Sequence, residues 1–191
     1  TVARGDELTI SGIAQGNPEN VLVWIFGKNF YGDFGTNRLF AKQVNVESDG
    51  SFEYKLKSAN TNDLAAGQYF VVVQHPMGST PGVFVDTKYR GANTGYINGS
   101  GIIPVELTSL QAPAAASALI NALDSPNVPD TYVKLTFVVA EPNIFIDPIG
   151  TKTAGSKFTI TGTTNLAVGD TLNVEVTSAA FQPGSKTDAS A

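Results

Sequence analysis

Strand signals, β-branched and apolar runs of strand length, dominate the first ninety residues. Leu8 to Ile13 and Val21 to Phe26 are β-branched or apolar runs, separated by the turn signal Gly16-Asn17-Pro18. In the second run Leu22, Trp24 and Phe26 share one face, and Val21, Val23 and Ile25 share the other. A strand apolar on both faces is covered on both, so the pattern predicts an extra layer over the first sheet. Val44 and Val46 then run into Ser48-Asp49-Gly50, and Phe52, Tyr54 and Leu56 run out, with Glu53, Lys55 and Lys57 between them. This predicts a hairpin whose Asp-Gly pair supplies the positive φ of a tight turn. Gly67 stands two residues before Tyr69 at the entry to another apolar run, Phe70 to Val73. That spacing resembles the tyrosine corner of immunoglobulin-like sandwiches, the alternative being an ordinary strand tyrosine.

Residues 77–108 are rich in Gly, Ser, Thr and Asn and read as a long loop, with short strands near Val83 to Asp86 and Ile102 to Leu107. The period then changes. Ala116, Leu119, Ile120 and Leu123 fall at i, i+3, i+4 and i+7, which predicts a helix from Pro113 to Leu123. Pro113 suits its first turn and Pro126 bars its continuation. This helix is the candidate for the extra layer. Tyr132 to Val139 reads as a closing strand, and Glu141-Pro142-Asn143 as a boundary.

Residues 5–26 and 155–176 align without a gap, 150 positions apart. Gly5, Thr9, Ile10, Gly12 and Leu22 recur as Gly155, Thr159, Ile160, Gly162 and Leu172, and Leu8 and Ser11 change mildly to Phe158 and Thr161. Self-similarity at domain spacing marks an array of like modules. The expected organisation is a β-sandwich module over residues 1–142, with a loop-and-helix insertion at about 77–130, and the start of a similar module over 143–191. In the second copy Leu172, Val174 and Val176 alternate cleanly with Asn173, Glu175 and Thr177, the pattern of a half-buried strand. Ile144-Phe145-Ile146 forms a short strand ahead of the repeated segment, and its counterpart in the first copy would precede residue 1. Forty-eight residues from Ile144 are too few for an independent sandwich core. The chain therefore reads as a stretch of a longer array, or as one whose second sheet is completed by a neighbour's strands. Pro142 and Pro148 restrict the backbone between the copies, predicting a semi-rigid connection.

Composition narrows the function. With 12 Lys and Arg against 17 Asp and Glu the net charge is −5, the wrong sign for a phosphate-binding surface, so no nucleic-acid partner is expected. There is no cysteine, which excludes disulfides and thiolate chemistry. No run of eighteen apolar residues suggests a membrane-spanning helix. The single histidine, His75, lacks the partners of a triad or zinc site, so no catalytic residue, cofactor or metal site is assigned. Asp33, Asp49, Asp63, Asp86 and Asp130 lie in predicted turns, where calcium is the one metal they could serve and turn capping the commoner role. Asn98-Gly99-Ser100 is a glycosylation acceptor pattern at Asn98 in a predicted loop. Phe30, Tyr31 and Phe34 alternate with glycines and polar residues in another. They would either stack on a sugar or partner, or fold back to plug the sandwich, the commoner fate of aromatics.

The segments Arg4 to Gly12, Gly67 to Pro76 and Phe158 to Leu166 resemble sequences repeated in the S-layer-related cell-surface proteins of methanogenic archaea. The likeness runs from Thr1 to about Lys186. It implies an exported, extracellular envelope protein of tandem β-sandwich modules, a glycoprotein whose partners are other copies or neighbouring modules, with no enzymatic activity. The alternative function is an extracellular glycan- or ligand-binding adhesion module using Phe30, Tyr31 and Phe34.

Overall fold

The strand that is apolar on both faces lies inside the fold, as its pattern requires. The computed structural model describes residues 1–28, 30–31, 41–78, 82–86, 95–99, 101–107 and 109–177, without the side chains of Phe30 and Tyr31. The chain is mainly β. Its elements in order are β1 (Val2–Ala3), β2 (Leu8–Ile13), β3 (Asn20–Gly27), β4 (Phe30–Tyr31), β5 (Lys42–Asn45) and β6 (Ser51–Leu56). A short helix α1 (Ser58–Asn62) precedes β7 (Gly67–His75), β8 (Val83–Asp86), β9 (Tyr96–Gly99) and β10 (Val105–Glu106). Helix α2 (Ala112–Leu123) leads to β11 (Thr131–Ala140), β12 (Ile144–Ile146) and β13 (Gly162–Thr164).

The central sheet runs β1-β11-β7-β3, and both β4 and β5 pair with the far edge of β3. All its pairs are antiparallel except β1 with β11, where Val2 and Ala3 align parallel with Val139 and Ala140. A two-stranded sheet of β2 and β6 packs on one face. Val21, Val23 and Ile25 of β3 and Val71 and Val73 of β7 point into that interface and meet Ile10 and Leu56. On the opposite face Trp24, Phe26 and Val72 are covered by α2 and by a three-stranded sheet, β8-β9-β10. The extra layer is present, and it lies over the Trp24 face. Leu119, Leu123 and Ala116 of the predicted stripe are buried against it, with Ile120 partly so, and Pro113 sits in the first turn of α2.

Three expectations are corrected. Residues 42–56 do not form a hairpin. The Asp-Gly turn forms, with Gly50 at φ +84° and its N–H donating to the Glu47 carbonyl at 2.9 Å. But β5 joins the central sheet through β3 whereas β6 joins β2, so the turn carries the chain between layers. Alternation tells which face a side chain takes, not which strand lies alongside. Second, the strand expected at Val83 to Asp86 is present as β8 and the one near Ile102 to Leu107 as β10, but β9 lies in what reads as loop and joins them into an antiparallel sheet, with Ile97 fully buried between Val85 and Val105. Third, residues 171–177 form no strand and are exposed, unlike their counterpart β3. β3 is held by β7 on one edge and β5 on the other, and no such partners stand beside 171–177 among the described residues. Among the described residues of the second copy, only β12 and β13 pair.

The repeat has a structural core nonetheless. The Asp6 N–H donates to the Ala3 carbonyl at 3.1 Å, and the Ser156 N–H donates to the Thr153 carbonyl at 3.1 Å, the same bond 150 residues on. Gly5 and Gly155 occupy these two turns at φ +92° and +83°, a region that favours glycine. One glycine-dependent turn therefore opens both copies.

Candidate functional site

The residues singled out from the sequence are dispersed rather than gathered. Phe30 and Tyr31 form strand β4 on the edge of β3, paired with Gly27 and Phe26, instead of lying in a loop. Phe34 lies outside the described residues. Asn98 is on strand β9, also not in a loop. Its side-chain amide donates to Asp86 Oδ2 at 3.2 Å and its Oδ1 accepts from the Gly99 N–H at 2.8 Å. Ser100, which completes the acceptor pattern, lies outside the described residues.

His75 ends β7 with each ring nitrogen beside a backbone carbonyl, Nε2 at 2.8 Å from Gln15 and Nδ1 at 3.1 Å from Pro76. The ring ties the end of β2 to the central sheet. The aspartates take structural partners. Asp49 accepts from the N–H and hydroxyl of Ser51 at 2.9 and 2.7 Å, which hold its carboxyl below the usual carboxylate range. Asp63 caps the C-terminus of α1, and Asp130 is buried in a polar network with Gln74. Asp33 lies outside the described residues. Among the described residues no three His, Asp or Glu side chains are grouped as a metal site, and no helix is long and apolar enough to cross a membrane.

Two open apolar surfaces stand out instead. In the second copy Ile144, Phe145, Ile146, Phe158, Ile160 and Val174 line a groove of about 780 Å³. Phe145 and Ile146 are each 66% exposed, and Val174 74%. Among the described residues nothing covers this groove. The second surface is a cleft of about 550 Å³ between β2 and β11, with Ile10, Ile13, Val73, Val133 and Leu135 along it and His75 on its lining. Ile13 and Val133 are 76% and 60% exposed there. Composition did not reveal either surface. The signal available was the repeat, since each surface flanks an equivalent stretch of the two copies.

A polar junction lies at Arg4 and Asp6, the first joining the ends of residues 1–142 and the second facing the later copy. Arg4 Nη1 lies 2.8 Å from Glu141 Oε1, and Nη2 donates to the Asn62 carbonyl at 3.0 Å. Asp6 faces Asp170 from the loop before residues 171–177. Loss of hydration, and then the neighbouring Asp170 carboxyl, push the Asp6 carboxyl above its ordinary value of 3.8. No protein-family model matches the chain, and comparison with curated proteins and with solved structures finds no match.

Proposed function

We propose that this protein is a non-catalytic structural component of an archaeal cell envelope, a surface layer or sheath assembled from tandem immunoglobulin-like modules. The observation that carries the reading is the open apolar face of the second copy, where Ile144, Phe145, Ile146, Val174 and Val176 are more than half exposed. Contiguous apolar surface on this scale marks a site of association. The matching turns at Gly5 and Gly155 support modules of one kind, entered by the chain in the same way. The sandwich reading is supported by the pairing of β2 with β6 opposite a sheet of β3, β7 and β11, and by the Tyr69 hydroxyl, which donates to the Ala65 carbonyl at 2.9 Å. Extracellular location, glycosylation and the S-layer assignment follow from the sequence resemblance and belong to the same proposal.

Sedimentation of the full chain over a range of concentrations, with electron microscopy of the products, tests it. The expected result is concentration-dependent assembly into ordered polymers or sheets, weakened by Phe145→Asp. A protein that stays monomeric at every concentration would overturn the reading.

A further inference from the structure

We propose that His75 is a proton-operated latch. Carrying both ring protons, it ties the turn after β2 to the end of β7; losing one, it lets half of that tie go. The inference rests on the geometry of this one ring and does not depend on the function proposed above.

The ring stands between two groups that can only accept. Nε2 lies 2.8 Å from the Gln15 carbonyl oxygen, and Nδ1 lies 3.1 Å from the Pro76 carbonyl oxygen. A neutral imidazole carries one N–H and one lone pair, whereas an imidazolium carries two N–H groups. The neutral ring therefore satisfies one carbonyl and turns its lone pair towards the other. The charged ring donates to both, and bonds from a charged donor are the stronger kind. Histidine changes charge between about pH 5 and 8. The latch is complete on the acidic side of that range and weakens as pH rises through it.

Few other ionisable groups act on the ring. Strands β2, β3 and β6 give the cleft beside it no titratable side chain. Strand β11 gives it Thr131, in register with His75, and Tyr132, whose hydroxyl donates to Asp124 Oδ1 at 2.8 Å. Glu19 shares a shallow hollow with Pro76. Among the described residues no Asp, Glu, Lys or Arg lines the cleft.

The tie falls where the chain needs holding. The bond to Gln15 spans 60 residues and joins the end of the two-stranded sheet to the central one. Gly16 and Asn17 follow at φ +82° and +45°, so a residue other than glycine is kept in the left-handed region. On the other side Ala14 is buried, and its N–H donates to the Gly50 carbonyl at 2.8 Å. Gln15 thus stands between a packed residue and a strained turn. Loosening its carbonyl frees the turn and, with it, the end of β2.

An NMR titration of the whole 191-residue protein tests the latch, and His75 is its single histidine, so the ring signals are unambiguous. The carbonyl carbon shifts of Gln15 and Pro76 should follow the ring nitrogen shifts of His75 with one midpoint. The hydrogen-exchange protection factor of the Ala14 N–H should fall about tenfold from the acidic to the basic side of the titration. His75→Gln can donate to the Gln15 carbonyl at every pH, so in this variant the fall should vanish. The carbonyl shifts need no variant and decide the case even if His75→Gln fails to fold. Carbonyls of Gln15 and Pro76 that stay still while the ring titrates, or a fall in protection that folded His75→Gln retains, would overturn the proposal.

Discussion

The indole N–H of Trp24 donates to Oε1 of Gln74 at 2.8 Å, and neither side chain reaches solvent. The Gln74 amide donates in turn to Asp130 Oδ2 at 2.6 Å and to the Val83 carbonyl at 3.3 Å. Asp130 also accepts from the Gly82 N–H at 3.2 Å and the Met77 N–H at 3.4 Å. This network fastens β3 and β7 to the start of β8 and β11. A buried network is stabilising only when every member is satisfied. Gln74→Leu leaves the indole N–H unpaired and deprives Asp130 of its shortest bond. It should destabilise the fold by about 2–4 kcal/mol in urea denaturation.

Tyr69 stacks on Phe137 with ring centroids 5.0 Å apart, while its hydroxyl reaches the Ala65 carbonyl. Tyr69→Phe retains the stack and deletes one hydrogen bond, at a cost of about 1 kcal/mol. Gly27 lies against the same ring, where an added Cβ would overlap Tyr69. Gly27→Ala should cost more, about 2–3 kcal/mol, because the ring has packed neighbours and no free direction to move. Equilibrium unfolding of the two variants side by side checks the order.

Asp6 gives the junction a pH dependence. Its folded-state carboxyl is raised above 3.8 by lost hydration and by Asp170. The folded state therefore holds a proton that the unfolded chain has released, and stability from this group falls as pH rises through the window. The contribution is complete below about pH 3.8 and is lost above the raised value. Asp6→Asn should flatten this component of the melting-temperature profile and raise the midpoint at neutral pH. Asp49 acts in the opposite sense, since its carboxyl is lowered by Ser51. The difference between wild type and variant profiles isolates Asp6.

Leu119 is fully buried on the face of α2 that covers Trp24 and Phe26. Leu119→Ala should destabilise by about 2–5 kcal/mol, according to how far the helix can settle into the space. Hydrogen exchange would show the loss in β3 and β7, which the helix covers.

Local patterns were legible wherever chemistry and geometry sit within a few residues. The stripe of α2 and the Asp-Gly turn each place a feature that the structure contains. The two apolar faces of β3 also announced a layer on either side. Sheet partnership was not legible, because the alternation at Val44 and Val46 is the same whether β5 pairs with β6 or with β3. Nor was the Trp24-Gln74-Asp130 network, whose members are 50 and 56 residues apart and carry no local spacing. Helix α1 is five residues long, too short for a periodic signal. Its marker is Asn60, whose side chain accepts from the Lys57 N–H at 3.2 Å.

The parallel pairing of β1 with β11 has a mechanical consequence. The chain enters the first copy through Val2 and leaves through Ala140, on adjacent strands that run the same way. Tension between these points pulls the strands lengthwise past one another. Their hydrogen bonds, with the Arg4–Glu141 ion pair at the exit, bear such a load together instead of parting one by one.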